Sequence, residues 1–295
     1  MTADRSVARD AEPAGLIAAI AARPGWLTVV GLPGVGKSYL VASVTGRDEH
    51  TLWVSAERST SEADLAERIA AACSVAPCDF SRALGRVVER GARTLVLDGA
   101  DAIPTSIAAR VMAASKERGL TLLATARRPI GLGGEVLHPL LPLDRASGSR
   151  LFWRIAGESE TTLMGMPAGA VEEIVARTDG LPAHLVLLAN RLRTYGWDFV
   201  RERFLEASGP RSESIPARTE EAFGVSVALL GPSERRVLGA FSVIADDVGL
   251  EAVERILGPL WDDSGGASRF PSTSWRRAVG SAREAWSSAC RASRV

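Results

Sequence analysis

Gly31-Leu32-Pro33-Gly34-Val35-Gly36-Lys37-Ser38 fits the pattern G-x-x-x-x-G-K-[ST] at every position. Such a segment constrains the fold strongly: a buried strand must turn through glycines into a helix. Leu27 to Val30 reads as that strand and Lys37 to Val44 as that helix. In this setting the turn presents its backbone N–H groups to phosphate, Lys37 reaches the β- and γ-phosphates, and the Ser38 hydroxyl holds Mg²⁺. The anion sits at a helix N-terminus, where unpaired N–H groups and the helix dipole favour it. Tyr39 follows in the same helical turn and joins the candidate nucleotide contacts. The chain has only two lysines, Lys37 and Lys116, so a lysine in this slot by accident is improbable. The competing reading is a glycine-rich turn with no ligand.

Five apolar, β-rich runs recur between helical patterns: 27–30, 51–54, 94–97, 121–124 and 136–137. Segments 61–72, 81–90 and 106–118 carry apolar residues at helical spacing between them. This alternation predicts an α/β fold, a mostly parallel sheet with helices on both faces. Ligands of such sheets bind beyond the carboxyl ends of the strands.

Thr94-Leu-Val-Leu-Asp98 is the natural partner of the phosphate loop. Four apolar residues bury a strand, and a carboxylate emerges at its end, where it meets the Mg²⁺ shell. The alternative is Asp98 as a cap for the next turn. Many ATPases of this architecture place a second acid directly after the first, but Gly99 and Ala100 follow here. The next carboxylate, Asp101, either polarises a water or caps the helix approached through Pro104. Slow hydrolysis, or binding without useful turnover, follows from that displacement. A further strand ends in Thr125, and Arg127 and Arg128 come next, where an arginine can contact a γ-phosphate through paired N–H groups. The plain alternative is a solvated surface pair.

Size and composition restrict the remaining classes. With 295 residues and 46% apolar content, the chain can bury a sizeable core in one large domain or two to three smaller ones. A formal net charge of zero argues neither for nor against a local nucleic-acid surface. Cys73, Cys78 and Cys290 form no C-x-x-C pair, and His50, His138 and His184 are scattered, so reduced thiols are expected rather than a zinc site or disulfides. The N-terminus shows no apolar leader and no run approaches membrane-spanning length, so the expected location is cytoplasmic, with no membrane partner.

Beyond Asp144 the strand patterns disappear. Segments 145–155, 168–178, 182–195 and 198–206 read as helices, and Ser208 to Pro216 as a polar linker. Two amphipathic helices follow at 219–230 and 233–244, and a third begins at Val248. Residues 264–295 carry eight serines and six arginines against one acid, Glu284. That segment reads as a disordered or out-of-frame terminus, with a basic nucleic-acid arm as the competing reading.

The ordered set of motifs resembles the STAND class of signal-transduction ATPases. It comprises the phosphate loop, Leu-Val-Leu-Asp98, Ala124-Thr-Ala-Arg127-Arg-Pro-Ile-Gly-Leu-Gly-Gly-Glu135, Leu140-Leu-Pro-Leu143 and Asp179-Gly-Leu-Pro182. The likeness is to the ATPase module of bacterial LuxR-type and SARP-type transcription regulators, within the wider NB-ARC pattern, over roughly residues 5 to 260. It implies a P-loop nucleotide-binding domain at 1–143, a helical lid at 144–209, a partial winged-helix-like region at 217–260 and the Ser/Arg-rich tail at 261–295. By matching motif, Arg127 is the sensor arginine, Pro182 approaches base and ribose, and Arg9 lies near adenine, although Ala8 stands where the family has glycine. Gly99 departs from the acidic or amide residue often found after the aspartate.

The implied function is a switch that binds ATP or ADP with Mg²⁺ and hydrolyses ATP slowly or not at all. Its partners would be the adenine nucleotide and a protein, or a second copy, met through the lid and the C-terminal helices. Direct nucleic-acid binding is not expected, since no complete helix-turn-helix is evident. The alternative is an AAA-type remodelling or loader enzyme with true turnover.

Overall fold

The computed structural model describes residues 12–22, 25–46, 48–57, 59–157, 165–206 and 235. Arg9, the 208–216 linker, the helices expected at 219–230, 233–244 (apart from Arg235) and from 248, and the 264–295 tail lie outside the described residues. Contacts divide the chain into one compact unit, Met1–Trp197 with Ser293–Val295, and a second, Asp198–Ala292.

The first unit is built on a parallel five-stranded sheet of β1 (Trp26–Val30), β2 (Thr51–Ser55), β3 (Thr94–Asp98), β4 (Thr121–Ala126) and β5 (Glu135–Pro139). Their order across the sheet is β2-β3-β4-β1-β5. The register aligns Ser55 with Asp98 and Val30 with both Ala126 and Pro139, so the strands finish along one edge. That edge carries the phosphate loop.

Helices α1 (Glu12–Ala21), α2 (Lys37–Thr45), α3 (Glu62–Ala72), α4 (Phe80–Glu89) and α5 (Thr105–Glu117) cover the sheet. Strand side chains alternate between its faces. Trp26, Val54, Leu95, Leu97, Leu122 and Ala124 share one buried cluster with Leu65 and Ile69 of α3, Leu84 and Val87 of α4, and Val111 of α5. The intervening Leu27, Val29, Val96 and Leu123 are buried too, on the opposite face. There α2 packs against β1 and β4, and α1 against α2.

Local signals set the helix starts. Ser61 and Asp64 form a reciprocal capping box on α3. The Asp79 and Asp144 carboxylates accept from Arg82 N at 3.0 Å and Ser147 N at 2.7 Å, starting α4 and α6 (Arg145–Ala156). Helices α7 (Ala170–Arg177) and α8 (Pro182–Tyr195) pack against α6 or follow from it, with Pro182 in the first turn of α8.

Among the described residues the expected elements are present with shifted ends. Strand β4 runs two residues further than its apolar pattern, to Ala126. Helix α1 and the 3-10 turn Ala100–Ala102 are additional. The helix expected at 198–206 is a short α-helix, α9 (Trp197–Val200), followed by a π-helical stretch, Arg201–Glu206. Among the described residues no helix is long and apolar enough to cross a membrane.

Candidate functional site

Strand β1 ends at Val30, and the loop from Gly31 to Gly36 carries the chain into α2. Gly31 N donates to Ala126 O at 3.2 Å, which ties the start of the loop to the end of β4. Val35 is fully buried beneath it, while Leu32 and Pro33 are half-exposed. Gly36 takes a left-handed conformation as the residue before α2. Lys37 opens the helix, and its ammonium donates to the Gly31 and Leu32 carbonyls, each at 3.0 Å. Burial pulls the Lys37 ammonium below the ordinary lysine value. The Asp101 and Asp98 carboxylates oppose that pull, and the Arg127 guanidinium adds to it. Lys37 is thus a partly desolvated cation facing two carboxylates across the loop. Tyr39 is half-buried one residue beyond Ser38.

Ser38 and Asp98 lie side by side. The Ser38 hydroxyl donates to Asp98 Oδ1 at 2.6 Å. A second hydroxyl, that of Thr125, donates to the same oxygen at 2.6 Å and itself accepts from Gly99 N at 2.9 Å. Asp98 therefore serves the loop and β4, and it is not a turn cap. Thr125 escapes the sequence reading, although its place at the end of the strand beside Asp98 is the available signal. The Ser38 and Asp98 oxygens are hard donors on adjoining elements, a set that fits Mg²⁺.

Asp101 and Arg127 are also brought together. Arg127 N donates to Asp101 Oδ1 at 2.7 Å, and Arg127 Nε lies 3.5 Å from Asp101 Oδ2. The Arg127 side chain is largely exposed, so the ion pair adds little energy, but the backbone bond fixes Asp101 against β4. Asp101 does not cap the next helix: Pro104 precedes α5 and no side chain caps it. Arg128 is exposed.

The loop beyond these arginines is held by Glu135. Its carboxylate accepts from Ile130 N at 3.0 Å, Gly131 N at 2.9 Å and Leu132 N at 3.4 Å, and from the buried Thr28 hydroxyl at 2.5 Å. Trp26 Nε1 in turn donates to Thr28 Oγ1 at 2.9 Å. Burial alone would raise the Glu135 carboxyl, but the Thr28 bond and the three N–H groups outweigh it and hold it below its ordinary value.

Pro182 is buried at the first turn of α8, and the next residue touches the phosphate loop: Ala183 N donates to Gly34 O at 3.1 Å. Arg9 lies outside the described residues. Among the described residues no cluster of three or more His, Cys, Asp or Glu side chains could hold a metal ion by itself.

Residues 21–126 match a family model described as an AAA domain. No curated protein matches the chain. Among solved structures, the chain is similar to a Signal Transduction ATPase with Numerous Domains (STAND) protein with a tetratricopeptide repeat sensor from Pyrococcus horikoshii. The two share 15% identity at a TM-score of 0.51, over 91% of this chain and 38% of that one. This chain therefore spans well under half of that protein's length. It also aligns with a RuvB variant from Thermotoga maritima, at 16% identity and a TM-score of 0.43, over 94% of this chain and 95% of that one. The segment 21–126 is AAA-like in sequence, and the fold around it is that of a P-loop NTPase.

Proposed function

We propose that the chain is an ATP- and ADP-binding switch of the STAND type, a regulatory module related to those of bacterial LuxR-type and SARP-type regulators. The observation that carries this reading is the bond from Ala183 N to Gly34 O. It joins the first turn of α8 to the loop that would surround the phosphates, so a change of nucleotide state at the loop acts directly on the helical segment. The AAA-domain match, the STAND-like fold and the ordered motifs support the nucleotide part of the reading.

In this reading the loop N–H groups and Lys37 bind the phosphates, and Ser38 and Asp98 would hold Mg²⁺. When bound, Mg²⁺ neutralises charge on the β- and γ-phosphate oxygens. Arg127 distinguishes triphosphate from diphosphate, and the helical segment 144–209 moves as a lid whose position partners read. Partner contacts run through the lid and the chain that follows it.

Titration calorimetry with ATP and ADP in the presence of Mg²⁺ tests it. Lys37→Ala should lose most affinity for both nucleotides with an unchanged circular dichroism spectrum. Arg127→Ala should bring the two affinities together, chiefly by weakening ATP. Equal ATP affinity in the wild type and Lys37→Ala would refute the site, and equal loss of ATP and ADP in Arg127→Ala would refute the sensor.

The AAA-type alternative, an enzyme with true turnover, is favoured by a different observation: a glutamate side chain, Glu57, lies over Gly99.

A further inference from the structure

Gly99, directly after Asp98, has no side chain and adopts a left-handed backbone with φ 73°. A Cβ built there would stand 2.5 Å from Glu57 Cγ and 3.4 Å from Glu57 Oε1. The space that a side chain at position 99 would enter is thus filled by Glu57, which comes from the end of the neighbouring strand. The register explains how it gets there. Ser55 pairs with Asp98, Ala56 N donates to Asp98 O at 2.7 Å, and the chain then brings Glu57 across the end of β3. Residues 57 and 99 exclude each other: any L-residue at 99 would displace the glutamate.

The other nearby carboxylates are engaged. Asp98 Oδ1 receives two hydroxyls, and Asp101 receives the backbone and the guanidinium of Arg127. Glu57 is exposed and, among the described residues, makes no hydrogen bond or ion pair. It is an uncommitted carboxylate beside the Asp98 end of the sheet.

From this arrangement we infer that Glu57 is the general base of ATP hydrolysis, replacing the acid that the chain lacks after Asp98. The inference rests on the nucleotide reading above and extends it to turnover. In the step, a water oxygen forms a bond to the γ-phosphorus while the bond from that phosphorus to the β–γ bridging oxygen breaks. ADP leaves with that bond's electron pair, and the water proton passes to the Glu57 carboxylate. A switch equipped in this way resets itself from ATP to ADP.

The test uses the full chain and two separate readouts: ATP affinity by calorimetry with Mg²⁺, and single-turnover phosphate release. Glu57→Gln keeps the stem that fills the space over Gly99 and removes the proton acceptor. It should bind ATP within about threefold of the wild type and release phosphate about a hundredfold more slowly or worse. Asp101→Asn should retain more turnover than Glu57→Gln. The inference is overturned if the wild type binds ATP without turnover, if Glu57→Gln keeps its rate within threefold, or if Glu57→Gln loses ATP binding together with turnover. A wild-type chain that binds no ATP at all overturns the nucleotide reading itself, and the calorimetric arm tells that failure apart.

Discussion

Ala183 gives its backbone N–H to the carbonyl of Gly34, 3.1 Å away, although the two residues lie about half the chain apart. The first N–H groups of a helix have no partner inside it. In α8 no side chain caps them, and Pro182 has none to offer. The phosphate loop therefore takes part in capping the helix that follows the G-L-P turn. The positive end of the α8 dipole also points towards the loop.

Gly34 should not tolerate a side chain. Its φ is 74°, and a Cβ there would come 2.7 Å from Ala183 Cβ. Gly34→Ala should cost about 1–2 kcal/mol from backbone strain and push α8 from the loop. Hydrogen exchange should show faster exchange at Ala183, and nucleotide affinity should fall. Adding Ala183→Gly should recover part of the steric loss but none of the backbone strain. A double-mutant cycle without coupling would show that the two residues do not press on each other.

The turn before α8 is held as tightly. Leu143 N donates to Gly180 O at 2.9 Å, and Gly180 has φ 65° with its missing Cβ aimed at the Leu143 carbonyl oxygen. Gly180→Ala combines a left-handed alanine with a backbone collision, and should destabilise the unit by about 3 kcal/mol or more. Chemical denaturation monitored by tryptophan fluorescence measures this. A loss below about 1 kcal/mol would mean that the turn relaxes freely.

Thr125→Val removes one donor from Asp98 and leaves Gly99 N without its acceptor. The expected loss of stability is about 1–3 kcal/mol. Because Asp98 would then be held by Ser38 alone, the Mg²⁺ concentration needed for half-maximal ATP binding should rise. Unchanged Mg²⁺ dependence would separate Thr125 from the Mg²⁺ role proposed for Asp98.

The division between what is legible in the sequence and what is not follows the range of the interactions. The phosphate loop and the Asp98 strand act within a few positions of themselves. Their patterns therefore carry their structure. Strand β5 is legible only as Val136 and Leu137, because it is an edge strand with both of these side chains exposed. Glu57, Thr125 and the Thr28–Glu135 pair act through strand register. Nothing local to Glu57 says that Ser55 pairs with Asp98, so an acid absent at 99 and an acid present at 57 look unrelated. Asp101 presents the reverse case. Its position near Asp98 suggests either water chemistry or a cap, and only β4 reveals that Arg127 occupies it.

Glu135 yields the last prediction, a pH dependence. Its folded carboxyl lies below the ordinary glutamate value, because the Thr28 hydroxyl and three loop N–H groups favour the ionised form despite burial. A group of this kind contributes stability that is fully present above its unfolded value, near about 4.3, and is lost as pH falls through the lower folded value. Protection of the 130–132 amides, corrected for intrinsic exchange, should therefore hold from about pH 5 upward and fail only in stronger acid. Glu135→Gln replaces a charged acceptor with a neutral one and should cost about 2 kcal/mol at neutral pH, with low protection of these amides throughout. Thr28→Val should act in the same direction but less, since the backbone bonds remain. Since the same loop leads from Arg127 and Arg128 into β5, the Gln variant should also broaden the range of positions open to Arg127 and narrow the difference between ATP and ADP affinity. If 130–132 stays protected in Glu135→Gln, the loop is ordered by packing, and the carboxylate is only its companion.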